Sequence, residues 1–202
     1  MNPRHDTLSG LPLPLDRLLA ACRDGDELAW EALVRATQGR ILALARSYVR
    51  DPDEARDLVQ EIYVKLYRRL PLCRDADRFL PWLLKLARRH CLDHLRRRGA
   101  RPPARDIPVE EAVGLADPGP DPGQAHADEE RRRLLWRALA VVGEAEREVL
   151  VLQEMQGLSV ARVGELLGIP AGTVKSRAHR GRLQLARALR RLLAGSAGRG
   201  RT

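Results

Sequence analysis

Residues 158–181, LSVARVGELLGIPAGTVKSRAHRG, decide how this chain is read. They predict two short helices joined by a tight turn. Ser159 is placed to cap the first helix, and Val163, Leu166 and Leu167 give it an apolar stripe at helical spacing. Gly168 stands where that helix must stop, because glycine takes the left-handed conformation at little steric cost. Ile169 plugs the corner. Pro170 opens the second helix, where a proline loses no hydrogen bond. Val174 and Ala178 keep one face of the second helix apolar. Thr173, Lys175, Ser176, Arg177, His179, Arg180 and Arg182 cover the rest, and no acid occurs from Lys175 to the C-terminus. A helix-turn-helix lays its second helix in the major groove, where Arg and Lys meet guanine edges and Ser or Thr meets bases or phosphates. A helical hairpin with a merely solvated basic face would not need both the apolar turn and the unopposed charge. The stretch reads as a DNA-contacting element.

The remaining composition agrees. A formal charge of +9 over 202 residues favours a polyanionic partner, and the charge is unevenly placed. Lys85 to Arg105 holds eight Lys or Arg against Asp93 alone, and Lys175 to Arg201 holds nine against none. Asp106 to Glu130 between them holds eight acids and no Lys or Arg. Two basic modules joined by an acidic connector are expected. Cys22, Cys73 and Cys91 are far apart and form no CxxC pair, which implies a reducing compartment and no disulfide frame. No signal peptide is recognised, and no apolar run approaches the roughly 20 residues of a membrane span. With no alternating strand pattern, the fold class is all-α and the expected location cytoplasmic.

In chain order, residues 1–24 read as a leader, loose to about residue 15 and then a short helix over 15–23. Asp26 caps a helix running toward Tyr48, with Gly39 as a point of interruption. From Glu54, Leu58, Ile62, Leu66 and Leu70 make a core-facing stripe. Asp57, Glu61, Val64 and Arg68 make a second stripe with Gln60 alongside, which on spacing alone is either a solvated face or a docking face. Residues 71–78 form a loop. A helix over 79–98 buries Leu80, Leu83, Leu84, Ala87, Cys91 and Leu95 and carries a basic C-terminal half. Positive charge there stabilises any helix C-terminus, but its density favours nucleic acid. His90 and His94 share a helix face, yet a metal site needs three or four ligands and no further ligand stands at suitable spacing, so no metal is expected. The stretch 101–128 reads as a flexible Pro/Gly/acid-rich linker; extended at about 3.3 Å per residue, its acidic part would reach roughly 80 Å. Helices over 128–142 and 145–155 then precede the opening stretch, and the last helix runs on to Leu193.

The segments AWEALVRAT, EARDLVQEIYVKLYRRL, FLPWLLKLARRHCLDHLRRR, AEREVLVLQEMQGLS and IPAGTVKSRAHRGR together resemble bacterial extracytoplasmic-function (ECF) sigma factors of the sigma-70 family. The resemblance covers about 25–100 and 130–192. It implies a sigma-2-like domain over 25–100, a sigma-4-like helix-turn-helix domain over 129–193, and a tail over 194–202. It further implies that Asp57, Gln60, Glu61 and Val64 bind core RNA polymerase. The loop from Leu72 to Arg78 matches the one that captures a flipped base, so that Arg74, Asp75, Arg89, His90, Asp93, Arg96 and Arg97 form the −10 set. Thr173, Lys175, Ser176, Arg177, His179, Arg180 and Arg182 form the −35 set, with Thr173 and Arg182 on phosphate. An anti-sigma factor is implied as a further partner. The chain departs from the family pattern at Cys73-Arg74-Asp75, where Phe-Arg-Gly is common, at His90, where Asn is frequent, and at Gly164, where Ala is usual. Gly164 avoids a clash but costs about 1 kcal/mol of helix propensity.

The expectation is therefore a sigma factor with no catalytic activity and no cofactor. It would bind core RNA polymerase and promoter DNA without inserting in a membrane. A one-component regulator would bind duplex DNA without polymerase, but neither an effector domain nor a use for the Asp57/Gln60/Glu61 face is apparent. A serine recombinase would need a strand-rich catalytic half, and Ser47 falls within a helix pattern.

Overall fold

The computed structural model describes residues 8, 11–73, 75–99 and 122–197, with the side chains of 122–126 and 195–197 excepted. Most of residues 1–10, the stretch 100–121 and residues 198–202 lie outside the described residues, and with them most of the linker, its flexibility included. Eight α-helices and no strand occur among the described residues: α1 (Leu15–Arg23), α2 (Glu27–Arg46), α3 (Pro52–Arg69), α4 (Phe79–Gly99), α5 (Pro122–Ala140), α6 (Glu144–Leu150), α7 (Val160–Leu167) and α8 (Ala171–Ala197).

The helix starts follow local chemistry. Asp26 Oδ1 accepts from the amides of Leu28 and Ala29, and Asp51 Oδ1 accepts from Asp53 and Glu54. Each cap satisfies donors that the first turn leaves over. The predicted break at Gly39 does not occur: α2 runs unbroken, and Gly39 sits on its exposed face with open space around it. One solvent-facing glycine weakens a helix without ending it when the opposite face is anchored. Here Leu33, Thr37, Ile41 and Leu44 are buried.

Leu58, Ile62, Leu66 and Leu70 pack with Leu33, Ile41, Phe79, Leu83 and Ala87 in one core. Burying each such side chain stabilises by about 1.5–3 kcal/mol. Leu8, Leu18, Leu19 and Cys22 join that core, so it reaches back into the segment read as a leader. Helix α5 starts at Pro122, inside the stretch read as linker. After α6 the chain widens into a π-turn over Val151–Met155, closed by the amide of Gln156 donating to Val151 O at 3.0 Å.

The two modules pack on each other. Val149, Leu152, Leu158 and Val163 continue the core of the first module. Helix α2 contacts the π-turn, and α4 contacts α7. No sequence signal had announced this pairing.

Candidate nucleic-acid interface

The corner of the helix-turn-helix is built as its sequence requires. Ser159 Oγ accepts from the amide of Arg162 at 3.3 Å, and Gly168 adopts φ +68°. Val163, Val174 and Ala178 are buried in the angle. Pro170 sits one residue before α8 rather than in its first turn, and its carbonyl accepts from Val174 at 3.1 Å.

Helix α8 then exposes Lys175, Ser176, His179, Arg180 and Arg182, with Thr173 and Arg177 half-buried. Ser176 Oγ donates to Thr173 O at 3.0 Å. The basic residues divide by partner. Arg180 lies 3.1 Å from Glu146 and Arg182 2.7 Å from Glu154, so both lean toward their own domain. Lys175, Arg177 and His179 form no ion pair among the described residues. Lys175 and Arg177 thus keep their charge unpaired in the first turns of α8, the part that meets base edges in a helix-turn-helix. Farther along, Arg187, Arg190 and Arg191 extend the basic surface; sequence reasoning had left them out of the site, although their charge was in plain view.

On α3, Asp57, Gln60, Glu61 and Val64 all face solvent, opposite the buried Leu58, Ile62 and Leu66. Asp57 and Gln60 make no side-chain contact with a charged or polar partner among the described residues. Val64 and Tyr67 add exposed apolar surface, 52% and 63% accessible, and Tyr67 stacks edge-on against Trp30 at 5.3 Å. Tyr67 was missed because an i+3 aromatic next to a polar stripe looks the same whether it packs inward or outward. Its neighbour Tyr63 does turn inward, sharing a 2.8 Å hydrogen bond with Thr37, and burial pushes its phenol up to about 12.

The residues assigned to −10 DNA do not all share one surface. Arg89, Arg96 and Arg97 are exposed on α4, with Asp93 half-buried and 3.1 Å from Arg96. His90 is not with them: it is 2% exposed, with Nδ1 2.5 Å from Lys65 Nζ and Nε2 2.7 Å from Glu61 Oε2. The Glu61 approach is short but poorly aligned with the ring N–H. Burial first, then Lys65, hold the imidazole below its usual pKa, against the pull of Glu61. His90 therefore joins α3 to α4 as a neutral packed ring and presents no edge to DNA. Its position on the α4 pattern, one residue from the exposed Arg89, gave no hint of this.

In the loop, Asp75 Oδ1 accepts from the amide of Asp77 at 3.0 Å, and Asp75 Oδ2 lies 3.2 Å from Arg78. Its charge is used in shaping the loop. Arg74 lies outside the described residues. His94, the other half of the tempting pair, contacts Glu54 at 2.7 Å, and Arg98 approaches the same carboxylate at 2.6 Å. No cluster of three metal-ligating side chains occurs among the described residues, and no described helix is long and apolar enough to cross a membrane.

Comparison with known proteins bears on these two surfaces. Residues 33–101 match the family described as Sigma-70 region 2, and residues 132–185 that described as Sigma-70, region 4. The RNA polymerase sigma-H factor of Pseudomonas aeruginosa is 33% identical over 183 residues, covering 88% of this chain and 94% of the relative. The ECF RNA polymerase sigma-E factor of Escherichia coli is 31% identical over 170 residues, covering 82% of this chain and 88% of the relative. Two solved structures are similar in fold. CnrH in complex with the cytosolic domain of CnrY has a TM-score of 0.59 at 23% identity, over 87% of this chain and 96% of that one. The sigma factor RpoE bound to the anti-sigma factor NepR, from Bartonella quintana, has a TM-score of 0.60 at 23% identity, over 79% and 96%.

Proposed function

The chain belongs to the extracytoplasmic-function group of the sigma-70 family and acts in transcription initiation, and from that footing we propose a division of labour between its two modules. The exposed face of α3, with Asp57, Gln60, Glu61 and Val64, docks on core RNA polymerase. Arg74, Asp75, Arg89, Asp93, Arg96 and Arg97 line the path of the −10 strand, with His90 positioning α4 from behind. Helix α8 enters the major groove of the −35 element. Lys175, Ser176, Arg177, His179 and Arg180 read base edges, while Thr173 and Arg182 hold phosphate.

The observation that carries this reading is a pair of exposed polar faces, each opposite a buried apolar one. On α8, Lys175, Ser176 and His179 are exposed while Val174 and Ala178 are buried; on α3, Asp57, Gln60, Glu61 and Val64 are exposed while Leu58 and Ile62 are buried. Phosphate contacts position such a protein and base contacts specify its site. The first module contributes no catalytic group. It favours melting by capturing an unstacked base, offsetting a cost of a few kcal/mol with stacking and basic surface.

The protein works in the cytoplasm, where polymerase and promoter are. An inhibitory protein partner fits the same reading, since a structural relative is a sigma factor bound to an anti-sigma factor. The test is charge reversal on α3. Asp57→Lys with Glu61→Lys abolishes stoichiometric binding to core polymerase while helix content stays unchanged. Undiminished binding refutes the assignment of that face.

A further inference from the structure

A cavity of about 1040 Å³ lies where the end of α2 and the turn after it meet α5, α6 and the end of α8. Six arginines line it against a single acid, Glu130. Arg131 and Arg133 are paired within their own helix, with Asp128 at 2.9 Å and Glu129 at 3.2 Å. The other four are held differently. Arg147 is 5% exposed and donates to Ser47 O at 2.8 Å and to Ala140 O and Val142 O, each at 3.4 Å. Arg46 lies over the ring of Trp136, 4.4 Å from its centroid. Arg50 and Arg137 are exposed. The acids on either side of Arg147 are engaged elsewhere. Glu148 accepts from the hydroxyl of Tyr48 and from Arg88 Nε, the latter at 2.7 Å, and Glu146 lies 3.1 Å from Arg180.

A buried guanidinium ordinarily faces a carboxylate, because carbonyl oxygens satisfy its donors without cancelling its charge. Burial disfavours the charged form of Arg147, with Glu144 opposing and Arg50 adding to the effect. Burial does the same at Arg46, with Glu129 opposing and Arg56 adding. Arginine does not give up its proton, so like charges are crowded around open volume. An anion seated there relieves that repulsion.

The donors and the size narrow its chemistry. The planar fork of a guanidinium matches phosphate oxygens two at a time. One phosphate engages one or two such forks, whereas forks arriving from α2, the turn after it and α5 call for several linked phosphates. Small-molecule pockets run to roughly 300–1000 Å³, so the cavity takes a ligand of that class. A DNA duplex, whose major groove alone is about 12 Å wide, does not enter it.

We propose that this cavity binds an oligophosphate, a chain of three or more linked phosphate groups, held by Arg46, Arg50 and Arg137 above the buried charge of Arg147. The site is composite: Arg46 and Arg50 belong to the first module, Arg137 and Arg147 to the second. It does not rest on the −10/−35 reading, and none of its residues belongs to the docking or DNA-contacting sets. A free oligophosphate and one carried on a nucleoside share this chemistry. They differ in whether a base stacks beside Trp136.

The experiment titrates sodium tripolyphosphate into the full chain by calorimetry at about 0.15 M salt, where attraction between exposed charges is screened beyond roughly 8 Å. One equivalent binds, and the thermal midpoint rises with its concentration. Arg50→Gln combined with Arg137→Gln weakens binding by about tenfold or more, through lost charge-assisted hydrogen bonds, and leaves helix content unchanged because both side chains are exposed. Arg17→Gln combined with Arg69→Gln removes the same charge at exposed positions outside the cavity and changes binding by less than about twofold. ATP separates the two sources. Binding about tenfold tighter than tripolyphosphate, with the difference gone in Trp136→Leu, assigns a nucleotide; binding no tighter assigns the free chain of phosphates. Absence of tripolyphosphate binding overturns the site. So does an equal loss in the two double variants, which would mean diffuse attraction to a basic surface.

Discussion

Gly164 and Ile169 constrain each other across the turn of the helix-turn-helix. The amide of Ile169 donates to Gly164 O at 3.0 Å, and the Ile169 carbonyl oxygen would lie 2.9 Å from a β-carbon placed on Gly164. The obstacle is backbone, which cannot rotate aside as a flexible side chain would. Alanine gains about 1 kcal/mol of helix propensity over glycine, but here the turn must shift to admit it. Gly164→Ala is expected to destabilise the protein by about 1–2 kcal/mol net, lowering its melting midpoint by a few degrees. Thermal unfolding followed by circular dichroism checks the sign, which propensity alone predicts wrongly.

His90 ties acid sensitivity to the junction of α3 and α4. Its folded-state pKa lies below the ordinary imidazole value of about 6.5 because burial and Lys65 disfavour the imidazolium, with Arg97 acting in the same direction and Glu61 opposing. The unfolded chain then takes up the proton first as pH falls. The contribution of His90 is complete above about pH 6.5 and is lost progressively below it. In urea unfolding, stability between pH 7.5 and 5.5 should fall more for the unaltered chain than for His90→Gln. Equal falls would mean that the ring is not held neutral.

On the proposed reading, Lys175 and Arg177 meet base edges and Arg182 holds phosphate. Lys175 and Arg177 have no acid partner among the described residues, whereas Arg182 is 2.7 Å from Glu154. Arg177→Ala in the polymerase-bound complex is expected to cost about 1–3 kcal/mol on the preferred −35 sequence and to relax base preference at one position. Arg182→Ala weakens all sequences alike and reduces the slope of log affinity against log salt by about one. Titrations of matched and substituted promoter fragments at several salt concentrations distinguish the two.

The helix-turn-helix was legible because its constraints are local. Ser159, Gly168, Val163 and Val174 act within a few residues of one another, and spacing reveals them. The face of α3 was equally legible as a polar stripe, although only family resemblance gave it a partner. What could not be read depends on residues distant in sequence. His90 is buried by Lys65 and Glu61, 25 and 29 positions away. Glu148 meets Tyr48 and Arg88 at separations of 100 and 60. Neither has a periodicity of its own, and both look like ordinary helix-surface residues in the sequence. Gly39 erred in the other direction: local propensity predicted a break that a well-anchored opposite face prevents.

As a sigma factor, this chain directs RNA polymerase to a promoter. The most direct measurement mixes the purified full chain with bacterial core RNA polymerase, passes it over a sizing column, and assays the pooled complex for transcription from promoter-bearing DNA. A one-to-one complex that starts transcripts at a defined position, which core polymerase alone does not do, is the predicted result. A chain that elutes apart from the polymerase yet binds duplex DNA tightly on its own would contradict the account.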